Sequence, residues 1–170
     1  MNTQQRQNNI YLIGMMGAGK TTVGELLAEK LNYDFFDTDV EVEKLAQKTI
    51  TEIFATEGEA KFRELESHVL KQVSTSCNSA IATGGGIVER DQNWNYLRTG
   101  LVVWLDANLD LLSQRLAVAK DRPLAEQIES LLVTRRSLYD RADLRIAIES
   151  EYTPEDLVTE IINSSIQKAS

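Results

Sequence analysis

Apolar residues along this chain arrive in short clusters whose spacing switches back and forth between two periods. Ile10-Tyr11-Leu12-Ile13 is an unbroken run of strand formers. Directly after it, Val23, Leu26, Leu27 and Leu31 recur at helical spacing, which predicts a helix over residues 21–31. Residues 33–36 predict a second strand, 40–47 a helix, and 50–73 further helix with breaks near Thr49 and Gly58. A third strand over 80–82 runs into three glycines, and a fourth over 101–105 repeats the apolar run. Helical spacing returns over 108–118 and 128–139, and Leu144, Ile146 and Ile148 alternate as a final strand. Pro154 suits a helix start, with Leu157, Val158, Ile161 and Ile162 along one face behind it. Strands parted by helices require an α/β architecture, a parallel sheet covered on both faces. Ligands of such sheets gather at the carboxyl ends of the strands.

Six of the nine glycines fall in two clusters, Gly14, Gly17 and Gly19, and Gly84, Gly85 and Gly86. Each cluster follows a strand, so both are expected on that one edge. The first belongs to Gly14-Met15-Met16-Gly17-Ala18-Gly19-Lys20-Thr21, which satisfies G-x-x-x-x-G-K-[ST] at every fixed position. Its context fits a phosphate-cradling loop, with a strand before and an amphipathic helix after. Glycines let successive backbone N–H groups curl about an anion. The new helix aims its positive end at the same point. Lys20 adds a point charge for the terminal phosphates, and the Thr21 hydroxyl can ligate Mg²⁺. A plain turn has no need of Lys20 and Thr21. The motif points to ATP or GTP and leaves the acceptor open.

Asp37-Thr38-Asp39 closes the second strand. Its carboxylates serve equally well as a cap for the next helix or as a Mg²⁺ ligand and an orienting group for an acceptor hydroxyl. Arg63 and Glu66, three apart on a helix, taken alone read as a solvated ion pair. Thr83-Gly84-Gly85-Gly86 is either a flexible turn or bare backbone where a ligand approaches. Residues 115–145 hold seven basic and five acidic side chains, a local positive field in a chain of net charge −8. Within that segment Arg122-Pro123-Leu124 falls between two helical stretches, the place of a mobile lid whose Arg swings onto a transferring phosphoryl group.

Composition narrows the functional classes. With 170 residues the chain suits one domain and a core that needs no disulfide or metal staple. Its acidity is the wrong sign for a nucleic-acid-wrapping or membrane-surface protein. No run approaches the ~18 apolar residues of a transmembrane helix. Residues 1–8 are polar, a tail expected to be disordered rather than a secretory signal, which leaves 9–170 as a single domain. The lone cysteine, Cys77, excludes an internal disulfide and suits a reducing, cytoplasmic setting. His68 and Cys77 lack metal-ligand spacing, and Trp94 and Trp104 are expected in or beside the core. With no long exposed apolar face, the expected state is a monomer. Two classes stand on these residues: a small-molecule kinase, with gluconate or a nucleoside monophosphate among the rival acceptors, and a nucleotide-binding switch. The Asn-Lys-x-Asp guanine signature of a GTP switch is missing.

Taken in order, the phosphate loop, Asp37-Thr38-Asp39, Ile53-Phe54-Ala55-Thr56-Glu57-Gly58-Glu59, Phe62-Arg63-Glu64-Leu65-Glu66, Gly84-Gly85-Gly86, Arg122-Pro123-Leu124 and Arg135-Arg136-Ser137-Leu138-Tyr139 resemble the shikimate kinases. The likeness runs over about residues 10–154. It implies a P-loop kinase fold, three α/β/α layers on a five-stranded parallel sheet, with a mobile lid near 117–127. It also implies transfer of the γ-phosphoryl group of ATP to the 3-hydroxyl of shikimate, with Mg²⁺, on the route to chorismate and the aromatic amino acids. By that resemblance Gly17, Ala18, Gly19, Lys20, Thr21 and Thr22 cradle the nucleotide, and Thr21 and Asp37 hold the metal. Asp39 receives the acceptor hydroxyl. Arg63 and Arg135 clamp the shikimate carboxylate beside Gly85 and Gly86, and Glu66 orients Arg63. Arg122 joins Asp39 and Lys20 in catalysis from the lid, while Arg115 and the segment around Pro154 flank adenine. The clamp is assigned to Arg135, four residues before Tyr139, rather than to Arg136.

Overall fold

The structure, a computed structural model, describes residues 8–117 and 122–169. The N-terminal tail at 1–7 and residues 118–121 of the expected lid lie outside the described residues. Strand β1 (Ile10–Ile13) leads through the first glycine loop into α1 (Lys20–Leu31), and β2 (Asp34–Asp37) follows. Helices α2 (Thr38–Ala46), α3 (Ile50–Thr56) and α4 (Gly58–Val73) then lead to β3 (Ser79–Ala82). A 3₁₀ turn (Ile87–Glu89) and α5 (Asp91–Leu97) precede β4 (Leu101–Ala107). Helices α6 (Leu109–Ala117) and α7 (Arg122–Tyr139), strand β5 (Leu144–Ile148) and α8 (Pro154–Ala169) complete the chain.

The five strands are all parallel, in the order β2-β3-β1-β4-β5. Every residue of β1 and β3 is buried, so helices cover both faces of the sheet, as a parallel sheet demands. Helix α1 packs on β1, β2 and β3, and α8 packs on β5 and against α1. Trp94 and Trp104 are fully buried in the core, whereas His68 and Cys77 are exposed. No helix among the described residues is long and apolar enough to cross a membrane.

Strand order is what assembles the site. β1 and β3 are neighbours, so the two glycine loops that follow them lie side by side. Ala82 of β3 aligns with Leu12 on one side and Asp37 on the other, which levels the carboxyl ends of all three strands. Thr83 fastens the junction, its N–H and its hydroxyl both donating to the Leu12 carbonyl, at 3.1 and 2.9 Å.

Several boundaries differ from the sequence expectation for identifiable reasons. The break near Thr49 is a capping box: the Thr49 hydroxyl accepts from the Glu52 N–H while the Glu52 carboxylate accepts from the Thr49 N–H. Helix α2 begins at Thr38 rather than near residue 40, because Asp37 caps it. Helix α5 was not expected at all, since seven residues are too few to display a helical period. Arg122 does not lie between helices; it is the first residue of α7, where Pro123 loses nothing by lacking an N–H.

Thr38 ties this scaffold to the second glycine loop. It is fully buried, and its hydroxyl accepts from the Gly84 N–H at 3.0 Å. Thr38→Val leaves that amide unpaired and is expected to cost about 1–3 kcal/mol. The measurement is urea unfolding, where the midpoint should fall at unchanged slope. Thr38→Ser should recover most of the loss, and equal midpoints for valine and serine would contradict the assignment.

Candidate active site

The loop between β1 and α1 depends on left-handed backbone, with φ of +146° at Gly14, +84° at Gly17 and +93° at Gly19. Gly19 stands directly before α1, so the first amides of that helix face a cavity of about 290 Å³. Gly17, Gly19, Lys20, Thr21 and Thr22 line one side of it, and Asp37, Asp39, Gly84 and Gly85 another. The Lys20 ammonium donates to the Gly14 and Met15 carbonyls, both at 2.8 Å. Burial brings the Lys20 pKa down to about 8, with Asp39 and Asp37 working against the shift.

Of the readings that the sequence left open for Asp37-Thr38-Asp39, the helix cap belongs to Asp37, and both carboxylates line the cavity. Asp37 Oδ1 accepts from the Asp39 N–H at 2.9 Å and caps α2. Its Oδ2 accepts from the Thr21 hydroxyl at 2.7 Å. Asp39 is half-buried and lines the cavity. Burial raises its pKa, and neighbouring Asp37 adds to the rise, against Lys20 and Arg63. Among the described residues no cluster of three or more His, Cys, Asp or Glu could enclose a metal ion. One hydroxyl and one carboxylate in contact, Thr21 and Asp37, are the sparse hard-oxygen set that suits Mg²⁺, an ion that keeps its waters and takes phosphate oxygens.

The second glycine loop is bare because charged side chains occupy the space where Cβ atoms would stand. A Cβ on Gly84 would lie 2.5 Å from Glu66 Oε1 and 2.9 Å from Asp39 Oδ1. One on Gly85 would lie 3.3 Å from Arg135 Nη1, and one on Gly86 would collide with the Arg63 guanidinium. None of these glycines has a positive φ, so close approach rather than turn conformation selects them. The Arg63–Glu66 pair is therefore not the solvated ion pair that helical spacing alone implied. Glu66 is 1% exposed and accepts from Arg63 Nη1 at 2.9 Å, because this face of α4 is pressed onto the loop. Burial raises the Glu66 pKa against the pull of Arg63. Burial also opposes the Arg63 cation, but Glu66, Glu89 and Glu59 outweigh it and hold that pKa above its ordinary value.

Arg135, on α7, is buried and donates from Nε to Glu89 Oε1 at 2.6 Å. One turn later Tyr139 donates its hydroxyl to the Gly85 carbonyl at 2.7 Å; burial pushes its pKa up to about 12, so it remains a donor. Arg136 faces elsewhere, over the Trp104 ring and 3.6 Å from Asp106. Of the two adjacent arginines, Arg135 is the one at the glycine loop.

A second cavity of about 300 Å³ shares Gly17, Gly19 and Thr22 with the first and is closed by Ala18, Arg115, Tyr152, Pro154 and Leu157. Arg115 donates from Nη1 to the Gly17 carbonyl at 2.9 Å. The side chain of Arg122 lies outside the described residues, so its relation to this cleft rests on its place at the head of α7. Sequence reasoning missed Glu89 and Tyr152. Glu89 lies three residues beyond Gly86, and only that proximity to a glycine cluster marked it.

A family model described as shikimate kinase matches residues 16–165. The shikimate kinase of Trichormus variabilis is 52% identical over 160 residues, 91% of this chain and 88% of that protein. That of Rippkaea orientalis is 48% identical over 162 residues, 92% of this chain and 87% of that protein. Among solved structures, shikimate kinase from Acinetobacter baumannii in complex with shikimate superposes with a TM-score of 0.89 at 37% identity, covering 95% of this chain and 94% of that one.

A Lys20 pKa near 8 makes phosphate binding pH-dependent. The unliganded loop loses its ammonium charge as pH rises through that value, and an arriving triphosphate draws the proton back. Calorimetric titration with ATP between about pH 8 and 9 should show net proton uptake, seen as a binding heat that varies with buffer ionisation enthalpy. Affinity should weaken across that window. A flat affinity and no proton uptake would mean that Lys20 stays charged throughout.

Proposed function

The chain belongs to the shikimate kinase family, and from that premise we propose how its residues divide the transfer of the γ-phosphoryl group of ATP to the 3-hydroxyl of shikimate. As a member of that family it is an ATP-dependent kinase acting on shikimate. The amides from Gly17 to Thr22, with Lys20, hold the phosphates. Thr21 and Asp37 would hold Mg²⁺, which would offset phosphate charge there. Arg115 and Pro154 flank the adenine, and Arg122, whose side chain lies outside the described residues, is assigned to the transferring group from the head of α7. Arg63 and Arg135 take the shikimate carboxylate beside Gly85 and Gly86. Planar, permanently charged guanidinium groups suit that task better than ammonium groups.

Asp39 then lies at the acceptor hydroxyl. As the hydroxyl oxygen forms its bond to phosphorus, the bond from phosphorus to the ADP oxygen breaks and the hydroxyl proton passes to Asp39. A carboxylate whose pKa burial has raised is better matched to receive it. The transition state is loose, so alignment of hydroxyl and phosphate supplies most of the rate. The exposed free thiol of Cys77 supports a cytoplasmic setting, and the enzyme is proposed to act as a monomer.

One observation carries the acceptor assignment: a short glycine loop has the buried Arg135 and the partly buried Arg63 guanidinium against Gly85 and Gly86 and the Asp39 carboxylate against Gly84. That spacing reads a small hydroxy acid, carboxylate at one end and hydroxyl at the other. A coupled assay of ADP release with shikimate, gluconate, AMP and CMP should show turnover of shikimate; turnover of another acceptor without shikimate rejects the assignment. Asp39→Asn should lower kcat by about 10²–10⁴-fold with little change in the KM for ATP. A near-wild-type kcat would remove Asp39 from the hydroxyl. Arg135→Ala should raise the shikimate KM by about 10–100-fold and leave that of ATP in place; equal effects on both would move Arg135 to the nucleotide.

A further inference from the structure

We propose that Glu89 is the positioning residue of the carboxylate clamp, gripping Arg135 by its Nε so that the outer N–H groups of the guanidinium face Gly85 and the acceptor. The proposal rests on the assignment of Arg63 and Arg135 to the shikimate carboxylate. Glu89 Oε1 lies 2.6 Å from Arg135 Nε, and Oε2 lies 3.9 Å from Arg63 Nη2, so one carboxylate stands between both guanidinium groups. Arg63 has two further carboxylates, Glu66 at 2.9 Å and Glu59 at 3.4 Å. Among the described residues Glu89 is the one carboxylate that pairs with Arg135. A buried guanidinium without an anion is costly, so Glu89 is what keeps Arg135 turned inward.

Geometry decides which N–H groups remain for a ligand. A guanidinium presents its five N–H donors in a fixed planar fork. Glu89 occupies Nε, and Nη1 lies against Gly85. Tyr139 also contacts this guanidinium, and the remaining Nη donors beside Gly85 are the ones offered to a substrate carboxylate.

Glu89 can act this way because its backbone is pinned. It ends the 3₁₀ turn Ile87–Glu89, and its N–H donates to the Gly86 carbonyl at 3.1 Å. Ile87 and Val88 are buried, and their carbonyls accept from Asn93 Nδ2 at 2.8 Å and Trp94 Nε1 at 3.0 Å. Arg90 Nη1 donates to the Arg63 carbonyl at 3.3 Å, joining the turn to α4. Helix α5 thereby serves the site at one remove: it fixes the turn that aims Glu89 at Arg135.

The test uses steady-state kinetics of the full chain with shikimate and ATP, and urea midpoints for each variant. Glu89→Ala should raise the shikimate KM by about tenfold with the ATP KM unmoved. Glu89→Gln, which keeps an oxygen for the Nε–H, should recover most of that rise. In an Arg135→Ala background Glu89→Ala should add nothing, because its effect passes through Arg135. An unchanged or lowered shikimate KM in Glu89→Ala overturns the proposal, the lowered value meaning that the carboxylate repels the acceptor; additive effects in the double variant overturn it too. If Glu89→Ala fails to fold, Glu89→Asp decides, since its shorter side chain withdraws from Nε: a raised shikimate KM supports the proposal and an unchanged one sinks it. Wild-type protein that does not turn over shikimate, or Arg135→Ala with a normal shikimate KM, would instead defeat the clamp assignment itself.

Discussion

A charged side chain can be buried against backbone only where the backbone leaves room and an opposite charge comes with it. Gly84-Gly85-Gly86 provides the room. Asp39 and Glu66 fill it at the first glycine, Arg135 at the second and Arg63 at the third. The charges balance in pairs, Arg63 with Glu66 and Arg135 with Glu89. A side chain at Gly84 or Gly86 would displace Glu66 or Arg63 and break their pair, and one at Gly85 would press on Arg135 Nη1 at 3.3 Å. The rest of the cleft follows from this crowding: it fixes where the two guanidinium groups and Asp39 stand beside the phosphate loop.

The same burial explains how a protein of net charge −8 handles two anionic ligands. Long-range field favours neither, so affinity comes from short-range contacts with desolvated donors. Burial brings Lys20 down to about 8 and moves Asp39 up, opposite directions from one cause. Divergent shifts of neighbouring groups in a cleft are the electrostatic mark of paired roles in catalysis.

Some features were legible from local pattern because their physics is local. The phosphate loop needs only successive amides, one ammonium and one hydroxyl within eight residues, so Gly14 to Thr21 states it in full. The alternation of strand and helix predicted a parallel sheet, and all five strands lie within one or two residues of the expected starts. Other features have no local signature. Arg135 and Arg136 are adjacent; the resemblance assigned the clamp to Arg135, and the physical reason appears only once α7 lies against Gly85 while Trp104 and Asp106 take its neighbour. Helical spacing described Arg63–Glu66 correctly as a pair and wrongly as solvated, because spacing carries no information about what covers a helix face. Glu89 and α5 were invisible for the same reason, their partners lying 46 residues away for Glu89 and in a buried turn for α5.

Composition, periodicity and the loop motif were thus enough to specify an α/β domain that grips a nucleotide's phosphates, since those properties reside in contiguous residues. For the acceptor half the ordered motifs named Asp39, Arg63 and Arg135 through resemblance, and packing brought them together and added Glu89. Asp39, Arg63, Glu89 and Arg135 are dispersed along the chain, and parallel register between β2, β3 and β1 is what levels the loops they meet on. Hydrophobic burial sets that register without reference to charge, and the charged groups then take their partners, their pKa shifts and their direction from the space the packed helices leave them.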